Sequence, residues 1–426
     1  MASMWMILVF AAATLLGFSM CGAMGVSAIL GLAILGIPLA TLARIMIEEL
    51  RGVPLLAVPF FILAAQLMNE MRITDRIFNF ANHLVGRLPG GLAQVNVASS
   101  VFFAGISGSA LADIGGLGAM LVRAMERHGY RSAFAAALSV VSSVIAPLIP
   151  PSIMFVIFAV NMNVSIGRLF LAGVFPGLVI AAVLMATIFV LARTGREHCP
   201  RSERAPLRQI LRDMATGLPA IVSPGIIVGG LVLGLVTPTE ASVVAVLYSI
   251  LIGVLYGECK VDRLFRAFRD TCISTSVIMV LTALGAVMAY VVTAERSADT
   301  IARWILAISD SPLFALLAIN LILIVMGMFI ETVPAMLISI PLLGPVALAA
   351  GVDPVHFGVI LVFNLLIGIV TPPVGIGIFT ISAVTGVRPE AVIRATLPFY
   401  VSLFISLILL TLVPSISLWL PRALMG

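Results

Sequence analysis

The chain has 426 residues, of which 61% are hydrophobic and only 10% charged, with a net charge of +5. An average soluble protein carries roughly 25% charged residues, so a soluble globule, a disordered chain and a nucleic-acid-binding protein are excluded. The apolar stretches far exceed the ~10 alternating residues of a barrel strand, which leaves an all-α polytopic membrane protein.

About twenty apolar residues cross the hydrocarbon core, and the sequence predicts ten spans, several of them interrupted. Residues 1–19 lack a basic leader region and read as a retained helix. They open a helix pair over 4–37 with a glycine-rich break at 17–25. Arg44, Glu48, Glu49 and Arg51 form a solvated face. A span at 53–71 precedes an amphipathic piece at 72–88. Residues 91–127 read as a re-entrant hairpin of two short limbs, and 132–164 as a long apolar segment broken by Pro147, Pro150 and Pro151. A further span fills 168–192.

The most polar stretch follows, with 193–216 expected as a basic cytoplasmic loop. Then the plan repeats. A helix pair covers 217–236 and 241–256 around Thr237-Pro238-Thr239-Glu240, where Glu240 caps the second helix. A charged loop at 258–270 leads to a span at 272–292, and a polar piece at 295–310 leads to a second hairpin at 313–350. Residues 354–384 are broken by Pro372-Pro373, and 390–420 form the last span.

The two Pro-Pro pairs lie 222 residues apart, and Gly105/Gly327, Gly129/Gly351 and Pro176/Pro398 keep the same offset. Weak internal repeats of this kind mark secondary transporters. The first repeat is 1–192 and the second 217–426. The flanks of the first hairpin carry six Arg and three acids, those of the second two Arg and four acids. By the positive-inside rule the first hairpin enters from the cytoplasm and the second from outside, so the repeats are inverted and both termini lie outside.

The chemistry concentrates at the hairpin tips and the proline breaks. Gly105-Ile106-Ser107-Gly108-Ser109 frees backbone carbonyls and adds hydroxyls, hard oxygen ligands suited to Na⁺. Non-helical backbone at membrane depth is tolerated only where it is buried or lines a cavity. The second tip runs from Gly327 through Glu331 and Thr332. A charged carboxylate at bilayer depth costs roughly 2.5–3.5 kcal/mol, so Asp113 and Glu331 need a partner, a proton, or a wet or capping position. Adjacent prolines leave carbonyls without intrahelical partners, and the half-helix that follows aims its positive N-terminus inward. Ser142, Ser143 and Asn364 lie before the breaks and serve either as ligands or in interhelical hydrogen bonds; Asn161 and Asn163 read as loop residues. The four cysteines and four histidines form no metal or redox pattern, and no catalytic constellation supports an intramembrane enzyme.

At these residues the chain resembles the large membrane subunit of tripartite ATP-independent periplasmic (TRAP) transporters, of the ion-transporter superfamily. The matching stretches are Gly105–Asp113, Gly129-Tyr130, Ile149–Ser152, Thr237–Ala241, Asp353–Gly358 and Thr371–Gly375. The family's Gly-Val-Pro turn is replaced here by Gly17-Phe18-Ser19. The resemblance implies a scaffold and an elevator-type transport domain carrying both hairpins and both broken helices. It implies import of an organic acid with Na⁺ across the bacterial inner membrane, with a small four-helix membrane subunit and a periplasmic substrate-binding protein. One Na⁺ site would comprise Gly105, Ser107, Gly108, Ser109, Pro150 and Pro151. The other would comprise Gly327, Glu331, Thr332, Thr371, Pro372 and Gly375. The carboxylate would lie between the tips, with Ser109, Asp113, Ser152, Asn364 and Thr371 as candidate contacts. A stand-alone Na⁺- or H⁺-coupled carboxylate symporter of the same superfamily is the alternative.

Overall fold

In the computed structural model, which describes residues 1–200, 206–308 and 311–426, helices follow one another with no strand among the described residues. The first half holds α1 (Ala2–Leu15), α2 (Met20–Ile34), α3 (Ala40–Leu50), α4 (Ala57–Glu70) and α5 (Ile73–Val85). Next come α6 (Leu92–Ser107), α7 (Ala110–Asp113) and α8 (Ala119–Arg127), then α9 (Ser132–Ser142), α10 (Ile153–Met162) and α11 (Ile166–Arg193). The second half holds α12 (Leu207–Val232), α13 (Pro238–Leu255), α14 (Val261–Ala294) and α15 (Ser297–Ile308). It continues with α16 (Pro312–Phe329), α17 (Thr332–Ala349), α18 (Pro354–Ile369), α19 (Ile376–Thr385), α20 (Pro389–Leu412) and α21 (Ser415–Met425).

Both hairpins and both breaks are present. The first hairpin descends along α6, turns at Gly108-Ser109 and returns through α7, a π-turn at Ile114–Gly118 and α8. The second turns at Ile330-Glu331 between α16 and α17. The first broken helix stops after Ile145 and resumes at Ile153; the second stops at Ile369 and resumes at Ile376. The Pro150-Pro151 and Pro372-Pro373 bonds are cis.

Eight helices among the described residues are long and apolar enough to cross a membrane, against ten expected spans. Six of the eight match expected spans, and the other two are α16 and α17, the 18-residue limbs of the second hairpin, each long enough to cross. The proline breaks divide two segments into pieces too short to count, and α1 and α2 have only 14 and 15 residues. The break between α1 and α2 is also narrower than expected, and Gly25 lies within α2. Ser19 replaces the turn by capping α2, its hydroxyl accepting from Gly22 N at 3.2 Å. Arg44 and Glu48 belong to α3, a helix with no fully buried residue.

Two expected loops and one expected polar piece are partly helical. The charged stretch from Val261 is the first part of α14, whose 34 residues reach about 51 Å, beyond a ~30 Å hydrocarbon core. That excess lets its charged start sit outside the apolar zone, where Arg266 pairs with Glu70 at 2.9 Å. α12 begins at Leu207, so the basic loop is shorter than 193–216; its residues 201–205 lie outside the described ones. The polar piece before the second hairpin forms α15, while residues 309–310 lie outside the described ones. The last span is two helices, because the chain turns at Val413-Pro414.

The core that positions the site is the pair of broken helices. Every residue of α18 from Val355 to Ile369 is buried, and α9 is nearly as enclosed. Around them pack the hairpins, α11 and α20, while α4, α13 and α14 pack together as a second group.

Candidate functional site

Both hairpin tips open onto one cavity. It measures about 490 Å³ and is lined by Gly108–Ala112 of the first tip and Glu331–Val333 of the second. Pro147, Ile153, Met154 and Leu366 of the broken helices close one side; Ile273, Ser274, Val277, Ile278 and Leu281 of α14 form the other. A second lobe of about 260 Å³ lies against it. The two share Ser109, Leu111, Ala112, Ile153, Ser274 and Ile278. The second lobe adds Ser107, Gly115 and Gly116 of the hairpin with Gln66 and Asn69 of α4.

The first tip is held against its break by backbone contact. Gly108 has φ +58°, a left-handed conformation open to glycine, and a methyl there would stand 2.7 Å from Pro151 O. Ser107 Oγ donates to Ser109 O at 3.1 Å, and Ser109 Oγ accepts from Ala112 N at 3.5 Å to cap the returning limb. Ser107, Gly108, Ser109, Pro150 and Pro151 are therefore brought together. Gly105 sits one turn back, and a methyl on it would stand 2.0 Å from Cγ of Pro224 in α12. Its side-chain face meets a neighbouring helix rather than the break.

The second tip is tied to its break by Gly375 N, which donates to Met328 O at 3.3 Å, and by close packing of Gly327 on Gly368. Thr371 Oγ1 donates to Ile367 O at 2.6 Å. Glu331 is the N-cap of α17, accepting from Val333 N at 3.1 Å, so the capping position foreseen for this carboxylate is occupied. Glu331 and Thr332 line the large cavity; Thr371, Pro372 and Gly375 line neither lobe.

Of the expected substrate contacts only Ser109 reaches the cavity. Ser152 is fully buried and committed to its helix, donating to Pro147 O and accepting from Phe155 N at 3.2 Å. Asn364 is fully buried and hydrogen-bonds Asn320 Oδ1 at 2.9 Å, while Asn320 donates to Thr411 at 2.9 Å. Ser142 likewise donates to Asn96 Oδ1 at 2.8 Å, and Ser143 donates to Val140 O at 2.7 Å. Ser142 and Asn364 thus bridge separate helices, whereas Ser143 and Ser152 bond within their own segments, and Asn364 Oδ1 stays buried without a partner. Thr237 and Glu240 form a reciprocal capping box, with Thr237 N donating to Glu240 at 2.7 Å. Asn161 donates to Ile157 O at 2.9 Å near the end of α10, and Asn163 terminates that helix with φ +52°.

Asp113 is different. It lies one turn behind the first tip, 2% exposed and outside both lobes, with Ser107 beside it. Both carboxylate oxygens are buried and take no hydrogen bond. A buried charge in this state requires a cation or a proton. Hard oxygens here and at the adjoining tip suit Na⁺, although no cluster of three His, Cys, Asp or Glu exists among the described residues.

Sequence reasoning missed Gln66, Asn69 and Ser274. Each is a polar residue within an apolar helix, which was the available signal.

The profile described as the DctM component of the tripartite ATP-independent periplasmic transporter matches residues 3–416. The chain belongs to this TRAP transporter family. Its relatives include the sialic acid TRAP transporter large permease protein SiaM of Vibrio cholerae, 40% identical over 90% of each chain. The C4-dicarboxylate TRAP transporter large permease protein DctM of Pseudomonas aeruginosa is 36% identical over 90% of this chain and 89% of its own. The sialic acid TRAP transporter permease protein SiaT of Haemophilus influenzae is 37% identical over 89% of this chain, which spans 61% of SiaT. In fold, the chain is similar to the YdaH transporter of Alcanivorax borkumensis, with a TM-score of 0.65 at 15% identity, over 89% of this chain and 88% of that one. This TRAP family member is thus a multi-pass membrane protein of a transport permease family, and its relatives are not enzymes.

Proposed function

We propose that the chain imports an organic acid coupled to Na⁺, moving both hairpins and both broken helices as one body past α4, α13 and α14. The observation that carries this reading is the shared cavity: two hairpin tips from opposite halves of the chain meet on it, with α14 as the facing wall. The repeats are inverted, residues 1–192 and 217–426, so the two tips approach from opposite sides of the bilayer. The N-termini of α10 and α17 stand at the cavity through Ile153 and Thr332, and their partial positive charge suits a carboxylate. Na⁺ binds where each tip meets its break, and at Asp113.

The energetics close. One Na⁺ entering down about 100 mV and a tenfold gradient supplies roughly 3.7 kcal/mol. Two supply about 7 kcal/mol, while moving a monoanion inward against that potential costs about 2.3 kcal/mol.

By family analogy the chain works with a small membrane subunit and a periplasmic substrate-binding protein. The test is uptake into proteoliposomes holding this chain and its small subunit, with organic acids under an imposed Na⁺ gradient. Uptake that needs both Na⁺ and the binding protein supports the reading. Uptake by the chain alone makes it a stand-alone symporter, and uptake indifferent to Na⁺ removes the coupling.

A further inference from the structure

The start of α12 carries two arginines without a partner among the described residues. α12 has 26 residues and reaches about 39 Å, against a ~30 Å hydrocarbon core. Its charged residues, Arg208, Arg212 and Asp213, all precede Met214, and the remainder of the helix carries no charge. The excess length therefore falls at that end and puts these residues in the headgroup layer.

The two sides of α12 differ. The inner side is packed: Asp213 pairs with His83 Nε2 of α5 at 2.8 Å, and a methyl on Gly217 would stand 2.8 Å from Cβ of Phe80. Pro224 continues that side against Gly105 of α6. The outer side is open. Arg208 and Arg212, one turn apart, are exposed, and their side chains form no ion pair or hydrogen bond. With Pro206, Gln209 and Asp213 they line a cavity of about 820 Å³. Asp213 is held by His83, and Gln209 adds an uncharged amide.

Further along the helix the same side is apolar. At 3.6 residues per turn, Val222 and Ile226 fall about four and five turns beyond Arg208, and so share its face. They are 43% and 39% exposed, and Leu218 beside them is 53% exposed. Two unpaired cations thus stand at the head of an apolar stripe that runs into the membrane.

We propose that this end of α12 binds an anionic phospholipid, its phosphate between Arg208 and Arg212 and an acyl chain along Leu218, Val222 and Ile226. A guanidinium matches phosphate oxygens through paired N–H donors, and basic pockets at the ends of membrane helices suit anionic headgroups. A zwitterionic lipid brings its own ammonium, which competes with the arginines for the phosphate. A soluble phosphate would leave the stripe unused. A partner helix laid on the stripe would have to desolvate both arginines or supply an acid for them, whereas a lipid meets the charge and the stripe with one molecule.

The test is native mass spectrometry of the purified full chain in detergent, with phosphatidylglycerol and phosphatidylcholine of identical acyl chains added. The parent is expected to retain phosphatidylglycerol about tenfold more than phosphatidylcholine, and the Arg208→Gln, Arg212→Gln double variant to lose that preference. The Arg208→Lys, Arg212→Lys variant keeps the charge and should keep most of it. Arg123→Gln, Arg127→Gln, an exposed pair one turn apart on α8, is the control and should change nothing. Equal retention of both lipids by the parent overturns the site and needs no variant to fold. An equal loss in the control overturns it as well, since any basic surface would then serve. Displacement of phosphatidylglycerol by an equal concentration of glycerol 3-phosphate would make the cavity a soluble-phosphate site. Displacement by the small membrane subunit would make this face a protein interface. Either result overturns the lipid assignment.

Discussion

Gly327 and Gly368 meet at backbone distance: a methyl on Gly368 would stand 2.3 Å from the carbonyl carbon of Gly327. The first limb of the second hairpin and the second broken helix are thus in direct main-chain contact. Gly368→Ala is expected to force them apart and to cost about 1–3 kcal/mol, as overpacking does. Thermal unfolding in detergent reads this directly. Gly225→Ala on α12, where a methyl meets nothing within 4 Å, is the control and should leave the midpoint unchanged or slightly raised.

Ser109 and Thr371 belong to the two tip-and-break junctions. Removing either hydroxyl is expected to raise the Na⁺ concentration for half-maximal uptake several-fold, since each ligand lost weakens the site by roughly one hydrogen bond. Thr371 donates to Ile367 O, which leaves its oxygen lone pairs for a cation. Unchanged Na⁺ dependence in both Ser109→Ala and Thr371→Ala would remove the assignment.

Asp113 has no hydrogen-bond partner for either carboxylate oxygen. Asp113→Asn removes a buried charge and with it a cation ligand. The variant is expected to be at least as stable as the parent without Na⁺ and to lose most of the stabilisation that Na⁺ gives the parent, because binding to the folded state alone is what raises the midpoint. Melting curves with and without Na⁺ check both halves; full retention of the Na⁺ effect would exclude Asp113 from the ion site.

Tyr130 joins three segments through one hydroxyl. It accepts from Leu92 N at 2.9 Å and stands 2.8 Å from Gly90 O and 2.9 Å from Pro200 O. Arg131 beside it pairs with Glu197, Nε to carboxylate at 3.0 Å. The linker between the two halves is thereby pinned to the base of the first hairpin. Tyr130→Phe leaves a buried N–H unpaired and is expected to cost about 1–3 kcal/mol. Limited proteolysis in the 193–200 linker should quicken; a cleavage rate equal to the parent's would show that the hydroxyl does not hold it.

Cys199 lies in the same linker. Burial, followed by the nearby Glu197 carboxylate, pushes its thiol up to about 11. Only the thiolate attacks a maleimide, so Cys199 should label slowly at pH 7 and faster by about tenfold for each pH unit below that value. Mass spectrometry of the labelled chain, with a free cysteine peptide labelled in parallel as reference, measures the ratio. Fast labelling of Cys199 at pH 7 would contradict its packed position.

The hairpins, the proline breaks and the capping roles of Glu240 and Glu331 were readable because each depends on residues close in sequence. Gly108 in a left-handed conformation ends a helix, and paired prolines cannot continue one. α6 nevertheless runs on through Gly105 to Ser107, so the tip is shorter than the 105–109 stretch suggested. The charged start of α14 was misread for the opposite reason. Its polarity forbids burial in lipid but not a helix, and only the Glu70–Arg266 contact and the excess length show that the helix runs on into water.

The sequence by itself determined the class, the order of elements, the two irregular segments in each half and the family, since apolar span length and helix-breaking residues are local properties. The tertiary structure decided which polar groups face the cavity. Ser152 and Asn364 are ordinary candidates by residue type, yet both are buried away from the cavity, Ser152 bonded within its own break and Asn364 bonded through Nδ2 to Asn320. Gln66, Asn69 and Ser274 carry no motif, yet the packing of α4 on α14 brings all three to a lobe shared with the first hairpin. Partners hundreds of residues apart settle whether a polar side chain is satisfied or free, and no local pattern contains that information.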